Sequence, residues 1–396
     1  MRILGPVLTA HYLAAFTALG LPIFMPRVLA ELAPGAPDWL VGVLYVLPTV
    51  CTALTATAWG RFADRYGRKL SLMRAQVGLA IGFALAGLAP NLWVFALGLI
   101  VQGSCGGSMA AANAYLSTQS QGAALSRSLD WTQFSARLAM VSAPPLLGLM
   151  TGAGQTLQLY LYLAGLPLLA LAITARLPTD TVVARPKPAQ AAGTALAAAS
   201  PHDHRRELFG LFGVQFLFCF AMVVTFPYFV SYSEHLGVGS DSLAGLLYSL
   251  PHLVYLLAMP WLRARKTASQ RRLFAGLSLL ALACAAHGLL RDPHWLAPVR
   301  VVYGAGMLLS FSGINRVLSE CVGSGGAAGR LFGGFDACGK WAGALAGVCA
   351  GFLVHRYGVV APFFIAAVVS AIALVVALFT FRPFPQRQSH VATNDA

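Results

Sequence analysis

Twelve apolar segments run through this sequence, each long enough to cross the hydrocarbon core of a bilayer, and they leave a helical membrane protein as the fold class open to it. In windows of about 19 residues, they cover 5–25, 39–59, 71–88, 92–116, 129–150 and 157–175, then 208–232, 242–262, 273–290, 295–318, 331–354 and 359–381. Inside hydrocarbon every backbone N–H and C=O must find a partner within the protein, so segments of this length are helices. The expected fold is all-α integral membrane, with twelve transmembrane helices in two six-helix bundles. The first bundle is expected over 1–176 and the second, with a short tail, over 207–396. Between them 177–206, rich in Pro, Ala and charge, reads as a cytoplasmic linker. The opening residues lack the basic region and cleavage site of a removable signal peptide, so the first segment is expected to remain as a span.

Only 10% of residues are charged and mean hydropathy is +0.70, whereas a soluble domain carries about 25% charge. The net charge of +14 does not point to nucleic acid, because no polar domain gathers the basic residues on a wet surface. They fall in alternate loops instead. Arg61, Arg65, Arg68, Lys69, Arg263, Arg265, Lys266, Arg271 and Arg272 share one side, while Arg27, Arg291 and Arg356 fall on the other. Basic loops stay cytoplasmic, which places both termini in the cytoplasm of a bacterial-type inner membrane. The seven cysteines lack metal or disulfide spacing and read as small core residues. Neither a phosphate-binding Gly-rich loop nor a nucleophile elbow nor a metal-spaced cluster is present, so neither an enzyme nor a cofactor is expected.

An internal repeat supports the two halves independently of hydropathy. LVGVLYVLPTV at 40–50 matches LAGLLYSLPHL at 243–253, a displacement of 203 residues. Nearly the same displacement pairs Arg127 with Arg330, Gly148 with Gly351, Asn113 with Asn315, and Arg137 with Lys340. Parallel six-helix repeats place a solute site between halves near the bilayer midplane.

The segment after the second span reads Gly60-Arg61-Phe62-Ala63-Asp64-Arg65-Tyr66-Gly67-Arg68-Lys69 and closely resembles the G-x-L-A-D-R-x-G-R-[KR] loop of the major facilitator superfamily. The resemblance implies a gating loop built on Gly60, Asp64, Arg65, Gly67, Arg68 and Lys69, with the glycines permitting a tight turn. Elsewhere the sequence departs from the family. The fourth-span arginine often tied to proton coupling is replaced in Leu99-Ile100-Val101-Gln102-Gly103, whereas Arg300-Val301-Val302-Tyr303-Gly304 in the tenth keeps an arginine at similar spacing. Ala143-Pro144-Pro145-Leu146-Leu147-Gly148 is a degraded form of the family's exporter motif.

Charge inside a span costs roughly 2.5 kcal/mol or more at the centre and marks a functional candidate. Asp336 and Lys340 stand at i and i+4 on one helix, and Arg137 holds the repeat-related place in the fifth. In the family's architecture these two helices flank the cavity, so Arg137 and Lys340 are expected to offer two cations to one anionic solute. The alternative is structural pairing, of Lys340 with Asp336 and of Arg137 with Asp130. For proton coupling the candidates are Asp336 in the eleventh span and Arg300 in the tenth, and as a rival to Asp336 His11. The repeat counterpart of His11 is Gln215, which cannot titrate and suggests solute hydrogen bonding at both. Gln102, Asn113, Tyr303 and Asn315 are further candidate solute contacts, with interhelical hydrogen bonding as the other reading.

The expectation is thus a secondary transporter, acting as a monomer, that exports a small anionic metabolite such as a carboxylate siderophore in exchange for protons. A multidrug efflux antiporter and an organic-anion uptake permease share the same scaffold, and a non-transporting scaffold or sensor is the distant alternative. Its partners would be the solute, protons and the lipid bilayer, and no metal.

Overall fold

The computed structural model describes residues 3–120, 122–151, 155–179, 201–265, 267–322 and 328–381. Most of the expected linker, Lys266 and the tail from 382 lie outside the described residues, as do the side chains of Arg205, Cys321 and Arg330. Regular structure among the described residues is entirely helical. It forms twelve spans: Leu4–Leu32, Trp39–Tyr66, Arg68–Gly87, Leu92–Gln119, Gly122–Gly148 and Thr156–Ala175, then Pro201–Val223, Asp241–Ala264, Ser269–Leu289, Pro293–Glu320, Ala328–Tyr357 and Ala361–Thr380.

All but span 5 are long and apolar enough to cross a membrane by composition. Span 5 carries Arg127, Asp130 and Arg137 with the buried hydroxyls of Ser128, Thr132 and Ser135. It is a 27-residue helix, about 40 Å long, packed between span 1 of its own half and span 8 of the other. Its hydroxyls are buried against those neighbours, while Arg127 and Asp130 are exposed toward its basic-face end.

Three spans are interrupted, the first, the fourth and, at Ala164 alone, the sixth, and the break in span 4 is chemically closed. Span 4 stops at Ser104 and restarts at Ser108 after Gly107, whose φ of 89° only glycine adopts without strain. The carbonyls released there are taken up by neighbours: Thr52 donates to Gly103 (2.9 Å), Thr55 to Ser104 (3.0 Å), and Arg74 to Cys105 (2.6 Å). Arg74 also lies 3.8 Å over the ring of Trp59, whose indole N–H reaches Ser104. Such irregular backbone survives at membrane depth because protein groups replace the missing ladder bonds. Span 1 bends at the Pro22–Phe24 turn.

The halves meet through repeat-related glycines. A Cβ on Gly42 of span 2 would strike the Gly347 carbonyl of span 11, and a Cβ on Gly245 of span 8 would strike the Pro144 carbonyl of span 5. Likewise Gly351 lies against the Trp39 backbone, and Gly148 against Asp241 and Ser242. Both pairs obey the displacement of the sequence repeat, so the two-fold relation is written in contacts as well as in letters.

These contacts lie at the face opposite the basic loops. The buried residues of span 2 (Val41, Gly42, Leu44 and Val46) all belong to its first two turns. Past them Leu54 is 66% exposed, and on span 11 the Asp336 side chain is 67% exposed. Helices that still faced one another would bury those positions. Spans 2 and 11 thus touch at one end and part toward the basic face: the molecule is closed on one side and open on the other.

Candidate functional site

Span 5 carries Arg137 fifteen residues from its basic-face end, about halfway across. Its guanidinium crosses to the second half. Nη1 lies 2.9 Å from Nδ1 of His252 on span 8 and 3.9 Å from the Met307 sulfur on span 10. The charged carbon sits 4.5 Å over Tyr255 and 5.1 Å from the Phe311 ring centre. Arginine only donates, so His252 accepts at Nδ1 and is the neutral tautomer with its proton on Nε2. Asp130, offered by the sequence as a partner, is 3.0 Å from Arg263 instead. The Arg137 charge therefore meets rings and a neutral imidazole, with no carboxylate among the described residues.

His252 was not among the residues singled out from the sequence. A signal existed: the matched repeat reads Leu-Pro-Thr at Thr49 but Leu-Pro-His at His252. A titratable side chain replaces a hydroxyl directly after a shared proline.

Arg300 is 1% exposed, with rings of Phe229 and Tyr303 at 4.4 and 4.9 Å. Its Nε donates to the Leu247 carbonyl (3.0 Å) and Nη2 to that of Tyr248 (2.7 Å). Pro251 lies four residues beyond Leu247 and has no N–H, so the Leu247 carbonyl lacks its helical partner and Arg300 supplies one. The equivalent place in the first half is Leu99, since Gly103 packs on Pro48 as Gly304 packs on Pro251.

Lys340 and Asp336 pair at 2.7 Å on their own helix, and Lys340 makes no contact with Arg137. Of the other candidates, His11 lies in the seam between spans 1 and 5, 3.1 Å from Ser135 Oγ. Because the Ser135 hydroxyl donates to the Leu8 carbonyl (3.2 Å), His11 Nδ1 is the donor to it. Asn113 accepts from Thr132 (2.7 Å), joining spans 4 and 5. Gln102 and Gln215 are buried with a side-chain oxygen that no described donor reaches. Tyr303 is buried beside Arg300, while Asn315 is exposed nearer the basic face.

The expected gating loop is mostly helix. Span 2 continues through Tyr66, so Gly60 is an exposed helical residue with open space around it, and the turn consists of Gly67 alone, at φ 103°. Arg68 donates to the Ala114 carbonyl (3.2 Å) and Lys69 to those of Ala175 and Leu177 (2.9 and 2.6 Å), tying span 3 to the ends of spans 4 and 6. Arg65 rests 5.2 Å from the Tyr66 ring, and Asp64 is exposed with no ion pair among the described residues.

Two pseudo-symmetric bundles of six helices, closed at one face over a charged central seam, define a solute carrier of the alternating-access kind. The model of the Major Facilitator Superfamily matches residues 7–333, and the chain belongs to that family. Among curated relatives, the multidrug resistance protein MdtG of Dickeya zeae is 42% identical over 78 residues, 20% of this chain and 19% of that protein. MdtG of Citrobacter koseri is 35% identical over 99 residues, 25% of this chain and 24% of that protein. The match thus spans a quarter or less of those relatives' length. The D-xylose-proton symporter shares the fold with a TM-score of 0.76 at 15% identity, covering 97% of each chain. A point mutant of the nucleoside transporter NupG does so at 0.72 and 16%, over 96% of this chain and 98% of that one.

Proposed function

We propose that this chain is a proton-coupled secondary transporter of a small organic anion, with Arg137 as the fixed charge that receives it. The observation carrying this reading is a midplane guanidinium facing neutral groups of the opposite half. An uncompensated cation in a low-dielectric seam attracts anions and repels cations, whereas a carrier of cationic drugs needs a buried carboxylate. Lys340, released from Asp336, is a second cation on the facing helix. Carboxylate siderophores belong to this solute class. The basic loops support an orientation with the open face toward the cytoplasm of a bacterial inner membrane. The test is uptake and efflux of labelled mono-, di- and tricarboxylates in proteoliposomes under an imposed pH gradient. Arg137→Gln should abolish flux at unchanged abundance, and undiminished flux in that variant sinks the reading.

A second reading, export of hydrophobic compounds in exchange for protons, is favoured by the name of the MdtG relatives. Drug susceptibility of cells overproducing the chain separates the two.

A further inference from the structure

The bond between Arg137 and His252 joins opposite halves, and its chemistry depends on one proton. As it stands, His252 Nδ1 accepts from a donor-only partner. If Nδ1 takes a proton, its lone pair is consumed and the Arg137 hydrogen bond is lost. Two cations then face each other at contact distance in a site walled by Tyr255, Met307 and Phe311. Only an anion placed between them relieves that arrangement.

The surroundings supply none. Span 8 itself turns Tyr248 (6.2 Å between ring centres) and Tyr255 toward this region. Span 5 contributes only Arg137, because Asp130 is engaged by Arg263 near the basic face. Span 10 adds the charge of Arg300, which acts on His252 at longer range, and the neutral Met307 and Phe311. The helix Phe229–His235 turns Phe229 toward Tyr248. From span 2 the phenol of Tyr45 approaches Tyr248. No described carboxylate faces the pair.

We propose that Arg137 and His252 form one shared site for proton and anion: the proton binds His252 Nδ1, and the solute's carboxylate or sulfonate enters between imidazolium and guanidinium. This rests on the anion reading above and goes beyond it, since it names the group that titrates and the sign of coupling. Proton and anion occupy the site together, so they cross in the same direction. Exchange of anion for proton needs mutual exclusion, which this pair opposes, and the proton site moves from Asp336 to His252.

The local potential can be read without knowing the solute. Tyr255→Cys, with the seven native cysteines replaced by serine, places a thiol beside Arg137. Its rates of reaction with sulfonatoethyl and trimethylammonioethyl methanethiosulfonate are compared as pH falls. The thiolate fraction cancels in the anionic-to-cationic ratio, which reports the site's preference for an anion. With His252 present the ratio should rise about tenfold or more on acidification, because the reagent's own sulfonate is the anion that lets a proton settle on His252 beside Arg137. His252→Gln should make it flat, and Arg137→Gln should lower it. A ratio independent of pH, yet lowered by Arg137→Gln, overturns the shared site and leaves the anion reading standing. A ratio that Arg137→Gln leaves unchanged overturns both. Phe311→Cys provides the same measurement from span 10 if Tyr255→Cys does not purify as a monodisperse protein.

Discussion

Arg27 of the first half grips Asp241 of the second with two donors, Nη2 to Oδ1 at 3.0 Å and Nε to Oδ2 at 3.3 Å. Glu234 adds a contact at 3.1 Å and Thr151 a hydrogen bond to Asp241 at 2.8 Å. This cluster sits on the closed face beside the glycine contacts, across which Tyr228 also donates to the Asp38 carbonyl (2.6 Å). The fork geometry and a 13%-exposed aspartate place the pair above an ordinary surface bridge, at about 1–2 kcal/mol. Arg27→Gln should therefore raise the population open at this face roughly five- to thirtyfold. A cysteine at Val46, buried against Gly347, reports that opening by alkylation rate. The charge swap Arg27→Asp with Asp241→Arg should restore the slow rate, and equal rates in all three variants would exclude a latch.

Glycines of span 2 and of the turn that ends it should respond oppositely to substitution. Gly42→Leu puts a side chain into the backbone of span 11 and prevents closure, so alkylation at the closed face should become fast and transport should stop. Gly60→Ala meets open space in a helix and should leave thermal stability equal or raise it by about 0.5–1 kcal/mol. Gly67→Ala forces a left-handed conformation and should lower it by about 1 kcal/mol or more. Melting temperatures of the purified variants rank the three. Instability of Gly60→Ala comparable to that of Gly67→Ala would return Gly60 to the turn.

The Arg300 guanidinium and Pro251 form a coupled pair through the Leu247 carbonyl. Arg300→Leu, which reproduces the first half's Leu99, strands that carbonyl and should cost about 1–3 kcal/mol. Pro251→Ala restores an N–H to it, so the double variant should recover most of the loss. Thermal denaturation in detergent gives the coupling through a double-mutant cycle. Additive losses would mean that Arg300 does not serve the carbonyl that Pro251 leaves unpaired, and would leave its sequence-based place in proton coupling as the stronger account.

What could be read from the sequence follows the physics of each feature. The twelve spans were legible because hydrocarbon imposes one requirement on every residue of a span. The two-fold relation was legible because Gly42, Gly245, Gly148 and Gly351 meet backbone and so tolerate no substitution of size. The helix through Gly60 was not, because a basic amphipathic run reads alike as loop or snorkelling helix end. Nor was the Arg137 partner: helix periodicity pairs residues within a helix, as for Asp336 and Lys340, but does not choose among polar groups on another. His252 and Arg27 lie far from their partners in sequence, and rotation of each helix about its axis decides those contacts.

The repeat makes one more contact predictable. Displaced by 203 residues, Arg137 and His252 become Lys340 and Thr49. The first pair is in contact because spans 5 and 8 touch at that depth; the second is apart because spans 2 and 11 have diverged, and Lys340 turns to Asp336. Closing the basic face should bring Lys340 to Thr49 and break its bond with Asp336, an exposed i,i+4 pair worth only about 0.3–0.5 kcal/mol. Thr49→Cys with Lys340→Cys should then cross-link under mild oxidation, and Arg27→Gln should increase the yield by favouring the state open on the opposite face. Failure to cross-link in that background, with Val46→Cys reacting fast, would show that the halves do not close the basic face by the mirror image of the contact seen here.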